Sequence, residues 1–283
     1  MSKVSRREAL RRILGCLGVS AVAGVGGPVY ATLVEPRWLA LERVTIPVAG
    51  LPSQAEDLQM VLLSDFHLGP DVDQEHVARA VRLALQVAPD LILIAGDFVS
   101  RAQAIPACAE EVSRLRAPGG VFACLGNHDH WTAPDQVAAA MTGAGVAVLR
   151  NRAVELLDGL WLAGVDDVWE QRADLDAALS DVPSHAQVTL LAHEPEFADA
   201  VAADGRVALQ LSGHTHGGQV CLPLLGPPIL PYLGRRYPAG HYHVGRLQLY
   251  VTRGVGLISP PVRFNCRPEV TLIELRAVRT MDT

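Results

Sequence analysis

Five short apolar runs, each breaking off into Asp, His or Asn, constrain this chain more than any other feature. They are Val61–Ser64, Leu91–Ala95, Val121–Leu125, Val188–Ala192 and Ala208–Ser212. Each is short, mainly apolar and followed directly by polar residues, the pattern of a buried strand running into a loop. Between them, Val77, Val81 and Leu85 give residues 73–86 helical spacing, and a helical stretch near 106–116 closes at Pro118-Gly119-Gly120. Further helices are expected from Pro134 to Gly143, near 173–180 and near 195–203. Short strands are expected near 146–149, 153–157 and 160–163, and later ones near 241–251 and 269–275, after a Pro/Gly-rich loop over 217–240. Strands alternating with helices imply parallel βαβ units. The expected fold is α/β, with two packed mixed β-sheets flanked by helices.

At 283 residues and 49 % hydrophobic, the chain supports one large core. The division expected is an N-terminal signal or membrane anchor over 1–34, an extended surface lead-in over 35–57, a catalytic domain over 58–277 and a tail over 278–283. Lys3, Arg6, Arg7, Arg11 and Arg12 against Glu8 give the start a charge of +4, and residues 13–34 carry no charged side chain. Removing that +4 from the formal −6 leaves −10 for the rest. So acidic a body does not attract nucleic acid over a broad surface. The Arg6-Arg7 pair before a modest apolar stretch resembles a twin-arginine export signal. Ala21-Val22-Ala23 fits a cleavage site, yet the uncharged stretch is also long enough to span a bilayer. The catalytic domain is therefore expected outside the cytoplasmic membrane, tethered or released. Five scattered cysteines, with no CxxC pair, make neither a disulfide framework nor a zinc ribbon.

The five polar breaks are Asp65-x-His67, Gly96-Asp97, Gly126-Asn127-His128-Asp129, His193 and Gly213-His214-Thr215-His216. Any one alone is weak; all five in this order are specific. Carboxylate and amide oxygens together with imidazoles suit zinc, manganese or iron without a thiolate. Two cations close together repel, so a bridging carboxylate is expected, and Asp97 is placed to be that bridge. Asp65 and His67 are expected to point the same way along an extended segment, as are His214 and His216.

With those motifs in order over residues 60–216, and Gly217-Gly218-Gln219 extending the last, the chain resembles the calcineurin-like metallophosphoesterase superfamily. Glu35-Pro36, Leu190 to Pro195, Arg253-Gly254 and Arg267-Pro268-Glu269 make it similar to the exported bacterial branch of YkuE/YaeI-like phosphodiesterases. The resemblance implies a double β-sandwich with two divalent ions. One would be held by Asp65, His67 and His216, the other by Asn127, His193 and His214, with Asp97 bridging. It implies that His128 contacts the phosphate and protonates the leaving oxygen, with Asp129 orienting its ring. The nucleophile would be hydroxide formed from water between the ions. Purple acid phosphatases carry a tyrosine ligand three residues after the bridging aspartate; Ser100 stands there, so a tyrosinate-iron site is not expected.

Arg253, following a predicted strand, is a candidate bidentate phosphate donor. His130 and Trp131 are candidates for the pocket wall, and the Pro223–Pro238 loop for a substrate lip, a membrane-facing patch or a packed structural loop. The function expected is hydrolysis of a phosphodiester or pyrophosphate bond, in a substrate that is amphiphilic or envelope-derived. Alternatives are a hydrolase of a lipid precursor like UDP-2,3-diacylglucosamine, whose cytoplasmic-facing substrate conflicts with export, and a non-catalytic binding module, whose expected loss of ligands is absent.

Overall fold

The computed structural model describes residues 26–278. The Arg6-Arg7 pair, Cys16 and Ala21-Val22-Ala23 lie outside the described residues. Twelve strands are β1 (Ala40–Val48), β2 (Gln59–Leu63), β3 (Leu91–Ala95), β4 (Val121–Cys124), β5 (Ala147–Val148), β6 (Arg152–Leu157), β7 (Leu160–Gly164), β8 (Gln187–Leu191), β9 (Leu209–Ser212), β10 (Gly240–Val244), β11 (Leu247–Val251) and β12 (Glu269–Ala277). They form two six-stranded sheets, ordered β1-β12-β2-β3-β4-β5 and β10-β11-β9-β8-β7-β6. In the first, β2 to β5 run parallel and β12 antiparallel to β2. In the second, β7, β8, β9 and β11 run parallel and the edges β6 and β10 antiparallel.

Strands covered on both faces are apolar at most positions, and here the pleat shares those residues out. Val61, Leu63, Ile92 and Ile94 face helices, while Met60, Leu62, Leu91 and Leu93 meet Leu162, Leu191, Leu209 and Leu211 of the opposite sheet. The helices on the first sheet are α1 (Gln74–Gln86), α2 (Ile105–Val112), α3 (Asn127–Thr132) and α4 (Pro134–Gly143); on the second lie α5 (Leu175–Ala178) and α6 (Ala198–Asp204). Asp73 caps α1 by accepting a hydrogen bond from the His76 N–H at 2.8 Å. Pro89 discourages helix at Ala88, so α1 stops just before it. Pro134 opens α4 at a position where no N–H is needed.

Residues 35–57 are not a surface lead-in. Their β1 pairs in parallel with β12 from Ala40 opposite Glu269 to Val48 opposite Ala277, covering an edge that would otherwise be open. Ile46 and Val48 enter the intersheet core, and buried Glu35 accepts from the Asn265 and Cys266 N–H groups at 3.0 and 2.5 Å. Only some β1 positions are buried, so its sequence shows no continuous apolar run. The strand expected over 241–251 is a hairpin, β10 and β11, turning at Gly245. No helix among the described residues is long and apolar enough to cross a membrane.

Candidate metal centre

The parallel strands of both sheets end on one side of the molecule. Asp65 and His67 follow β2, Asp97 follows β3, Asn127 and His128 follow β4, His193 follows β8, and His214 and His216 follow β9. Their backbone is not the simple extended one expected. Asp65, His67, Asp97, His214 and His216 have φ of 56°, 46°, 57°, 72° and 51°. Side chains pay about 1 kcal/mol or more for that left-handed region, so it persists only where surrounding contacts dictate it. Here the loops continue the sheets' bonding: the Asp65 N–H donates to Gly96 O at 2.9 Å, His67 N–H to Asp97 O at 3.0 Å, and Gly213 N–H to His193 O at 3.0 Å. Glycine is needed where two loops touch. A Cβ on Gly126 would collide with the Asp97 carboxylate, and one on Gly213 with Ser64 and Asp65.

The seven residues expected as ligands converge. Asp65, His67 and His216 each present a donor atom within 4.8 Å of the others, as do Asp65, Asp97 and His193. Asp97 Oδ2 lies 3.3 Å from His67 Nε2 and 3.1 Å from His193 Nε2, between the two groups. Asn127 Oδ1 lies 3.0 Å from His214 Nδ1. All seven are buried.

The outward ring nitrogens are tied down. His193 Nδ1 donates to Ala95 O at 2.6 Å, His214 Nε2 donates to Tyr232 O at 2.7 Å, and His67 Nδ1 meets Ser100 Oγ at 3.3 Å. These contacts aim the remaining nitrogen of each ring inward, as outer partners of metal-bound histidines do. His67 Nε2 and His216 Nε2 then face each other at 3.0 Å, and His193 Nε2 has no aligned hydrogen-bond partner. Such a set fits a divalent cation.

The charges agree. Burial pushes the Asp97 carboxyl up, but His193 and His67 outweigh it and hold it well below the ordinary carboxylate range. Burial pushes the His193 ring down, but Asp97 outweighs that and holds it well above the usual imidazole range. Burial, then the charge of His193, takes His214 down to about 4. Buried carboxylates thus draw positive charge from any neighbour able to supply it, and a divalent cation supplies more than a proton.

His128 sits at the exposed face of this cluster. Its ring is perpendicular to His67 at 4.5 Å between centroids and tilted on Trp131 at 4.8 Å. Its backbone N–H donates to Asp97 Oδ1 at 2.9 Å. Burial lowers its pKa more than Asp97 raises it. The pocket here has a volume of about 190 Å³, lined by the cluster and by Trp131, Trp169, Pro231 and Ile258. Trp169 packs edge-on against Trp131, His214 and Tyr232. A separate cavity of about 360 Å³ beside α1 shares no lining residue with it.

Three expectations are corrected. Asp129 does not orient the His128 ring. Its buried carboxylate accepts four backbone N–H groups: Asp97 and Gly126 on Oδ2 at 2.9 and 3.1 Å, Phe98 and Val99 on Oδ1 at 2.9 and 3.4 Å. It therefore shapes the loop carrying Asp97. Arg253 is not in the pocket; its guanidinium pairs with Glu269 at 2.6 Å and Glu42 at 2.5 Å, joining the end of β11 to β12 and β1. His130 turns away to Asp166 at 2.7 Å, while Trp131 does line the pocket.

Two contributors escaped the sequence reading. Trp169 follows β7 as the ligands follow their own strands, a signal available in the sequence. Arg263 lies in no motif; fully buried, it donates to the carbonyls of Arg253, Gly256 and Cys266 at 2.9, 2.7 and 3.0 Å.

The calcineurin-like phosphoesterase family pattern matches residues 58–218, which contain all five motifs. The chain belongs to this family. Over 285 residues it is 35 % identical to the uncharacterized metallophosphoesterase YkuE of Bacillus subtilis, covering 98 % of this chain and 99 % of that one. It is 33 % identical to phosphodiesterase YaeI of Escherichia coli, covering 96 % and 99 %. A transmembrane protein with metallophosphoesterase domain from Danio rerio is 32 % identical, covering 95 % of this chain and 63 % of its own length. Family and ligand cluster together make this chain a metal-dependent phosphoesterase, a hydrolase of phosphoric esters.

Proposed function

We propose that the enzyme cleaves a phosphodiester or pyrophosphate bond in an amphiphilic, envelope-derived substrate, with two divalent cations, outside the cytoplasmic membrane. The observation that carries this reading is a half-buried imidazole, His128, standing between the ligand cluster and an aromatic-rimmed pocket. Asp65, His67 and His216 would hold one ion and Asn127, His193 and His214 the other, with Asp97 shared; manganese, zinc and iron suit these donors. Bound there, the cations would acidify water and offset charge on the phosphoryl oxygens.

The remaining chemistry belongs to the chain. The His128 ring makes no side-chain hydrogen bond among the described residues, so a ring nitrogen is available to protonate the departing oxygen. The bond from its N–H to Asp97 Oδ1 keeps this proton donor at a set place relative to the ligands. Trp131, Trp169, Pro231 and Ile258 present an apolar wall, and the described lining contains no Lys or Arg. A singly charged diester suits that wall better than a dianionic monoester, for which the candidate cation, Arg253, is already paired. The name of the relative YaeI, a phosphodiesterase, supports the same preference.

Exposed Leu224, Leu225 and Ile229 precede Pro231 at the pocket and Tyr232 against Trp169, and support a substrate with an apolar portion. A diphosphate of the UDP-2,3-diacylglucosamine kind is a second reading on the same ground. The Arg6-Arg7 pair and uncharged residues 13–34 support export by the twin-arginine translocase, with the stretch either cleaved or kept as a membrane tether. Nucleic acid is not an expected partner.

Purified enzyme assayed on bis-p-nitrophenyl phosphate and p-nitrophenyl phosphate, with manganese, zinc or magnesium added, tests the central claim. Higher kcat/KM on the diester is expected; preference for the monoester with every metal would overturn it.

A further inference from the structure

The described cysteines are of two kinds. Cys108 and Cys124 are buried in separate parts of the core. Cys221 and Cys266 lie side by side behind the His216 turn, although the lip loop, the β10–β11 hairpin and the Arg253-Gly254 turn all intervene in sequence. Val220 bridges Phe264 in parallel, and the Cys221 N–H donates to Phe264 O at 2.8 Å, aligning the two segments. Cys221 Sγ and Cys266 Sγ lie 3.2 and 3.6 Å from one carbonyl oxygen, that of Gly217. Cys266 Sγ also lies 3.2 Å from His216 O. Cys221 is half-exposed and Cys266 buried.

We propose that Cys221 and Cys266 form a built-in disulfide site, closed when the chain meets a disulfide-bearing oxidant. The exposed Cys221 sulfur, losing its proton, attacks the oxidant's disulfide; a mixed disulfide forms and one oxidant thiol leaves. Cys266, losing its own proton, then attacks the Cys221 sulfur and displaces the second oxidant thiol. Two protein thiols are oxidised and one external disulfide is reduced to two thiols, which carry the two protons. The bond ties the start of the lip loop to the segment that Arg263 holds against the His216 turn. It thereby fixes the root of the loop that carries Pro231 to the pocket and Tyr232 against Trp169. The site itself stands on these contacts; its use in the cell rests on the export reading, since cytoplasmic thiols stay reduced.

The full chain, purified reduced and then incubated with oxidised glutathione, tests the site without any activity assay. Expected are an intact mass lower by two hydrogens, no glutathione adduct, and a cross-linked Cys221–Cys266 peptide on digestion. The melting temperature should rise on the order of 10 °C on oxidation, because closing a loop of this length restricts the unfolded chain. Cys266→Ser should instead retain glutathione on Cys221, the resolving thiol being gone. Wild-type protein that keeps both thiols alkylatable, keeps a Cys221–glutathione adduct, or cross-links another cysteine overturns the proposal.

Discussion

Asp97 is where the two halves of the centre meet, within 3.3 Å of one histidine and 3.1 Å of another from the opposite sheet. Asp97→Ala is expected to abolish metal loading and activity together, measured by elemental analysis and turnover. His128→Ala is expected to keep its metal and lose about 100- to 10,000-fold in kcat, the usual range for a general acid. Unchanged metal content in the first variant, or lost metal in the second, would reverse these roles. His76 makes a separate prediction. Buried beside α1's start, it donates from Nε2 to Val255 O at 2.8 Å and accepts at Nδ1 from Arg79 at 2.9 Å. Burial first, then Arg79 and Arg263, lowers its pKa against the pull of the Val255 carbonyl and Asp73. Below about pH 6.5 the unfolded chain binds a proton that the folded ring resists, so this contribution to stability is lost as pH falls. The melting-temperature gap between wild type and His76→Gln should therefore narrow from pH 7.5 to pH 5; a constant gap excludes the assignment.

Strands and their ends were largely legible. A strand buried on both faces is apolar at most of its positions, so β2, β3, β4, β8 and β9 stood out, and each expected ligand followed one. The edge strand β1 gave no such signal: it buries only some of its positions, and its pairing with β12 depends on a partner far along the chain. Arg253 shows the same limit. Following β11, it looked like a pocket residue, but where its side chain goes was decided by Glu42 and Glu269 on strands distant in sequence. Arg253→Ala should leave the nearly buried Glu269 carboxylate without its cation and cost about 3 kcal/mol of stability. The folded variant should keep its KM for the diester. A large rise in KM with unchanged melting temperature would restore Arg253 to the phosphate site.

At the scale of the molecule, the expected ligands come from both sheets: Asp65, His67, Asp97 and Asn127 from the first, His193, His214 and His216 from the second. A cation held among them cross-links the sandwich at its open edge and binds the folded state alone. Chelation should lower the melting temperature, by the equivalent of about 3 kcal/mol for metal at 100 times its Kd. A melting temperature indifferent to chelator and to added manganese or zinc would mean that the centre does not load. The amino-acid sequence by itself determined the α/β class, the order of the motifs and the placing of Asp, His and Asn at strand ends, because these are set by local patterning; the expected ligand set came with the family resemblance. Only the tertiary structure decided the left-handed backbone at Asp65, His67, Asp97, His214 and His216, the role of Asp129 as a loop anchor, the capture of Arg253 and the meeting of Cys221 with Cys266. Each of these is set by contacts between segments far apart in the chain, and such contacts leave no periodicity to read.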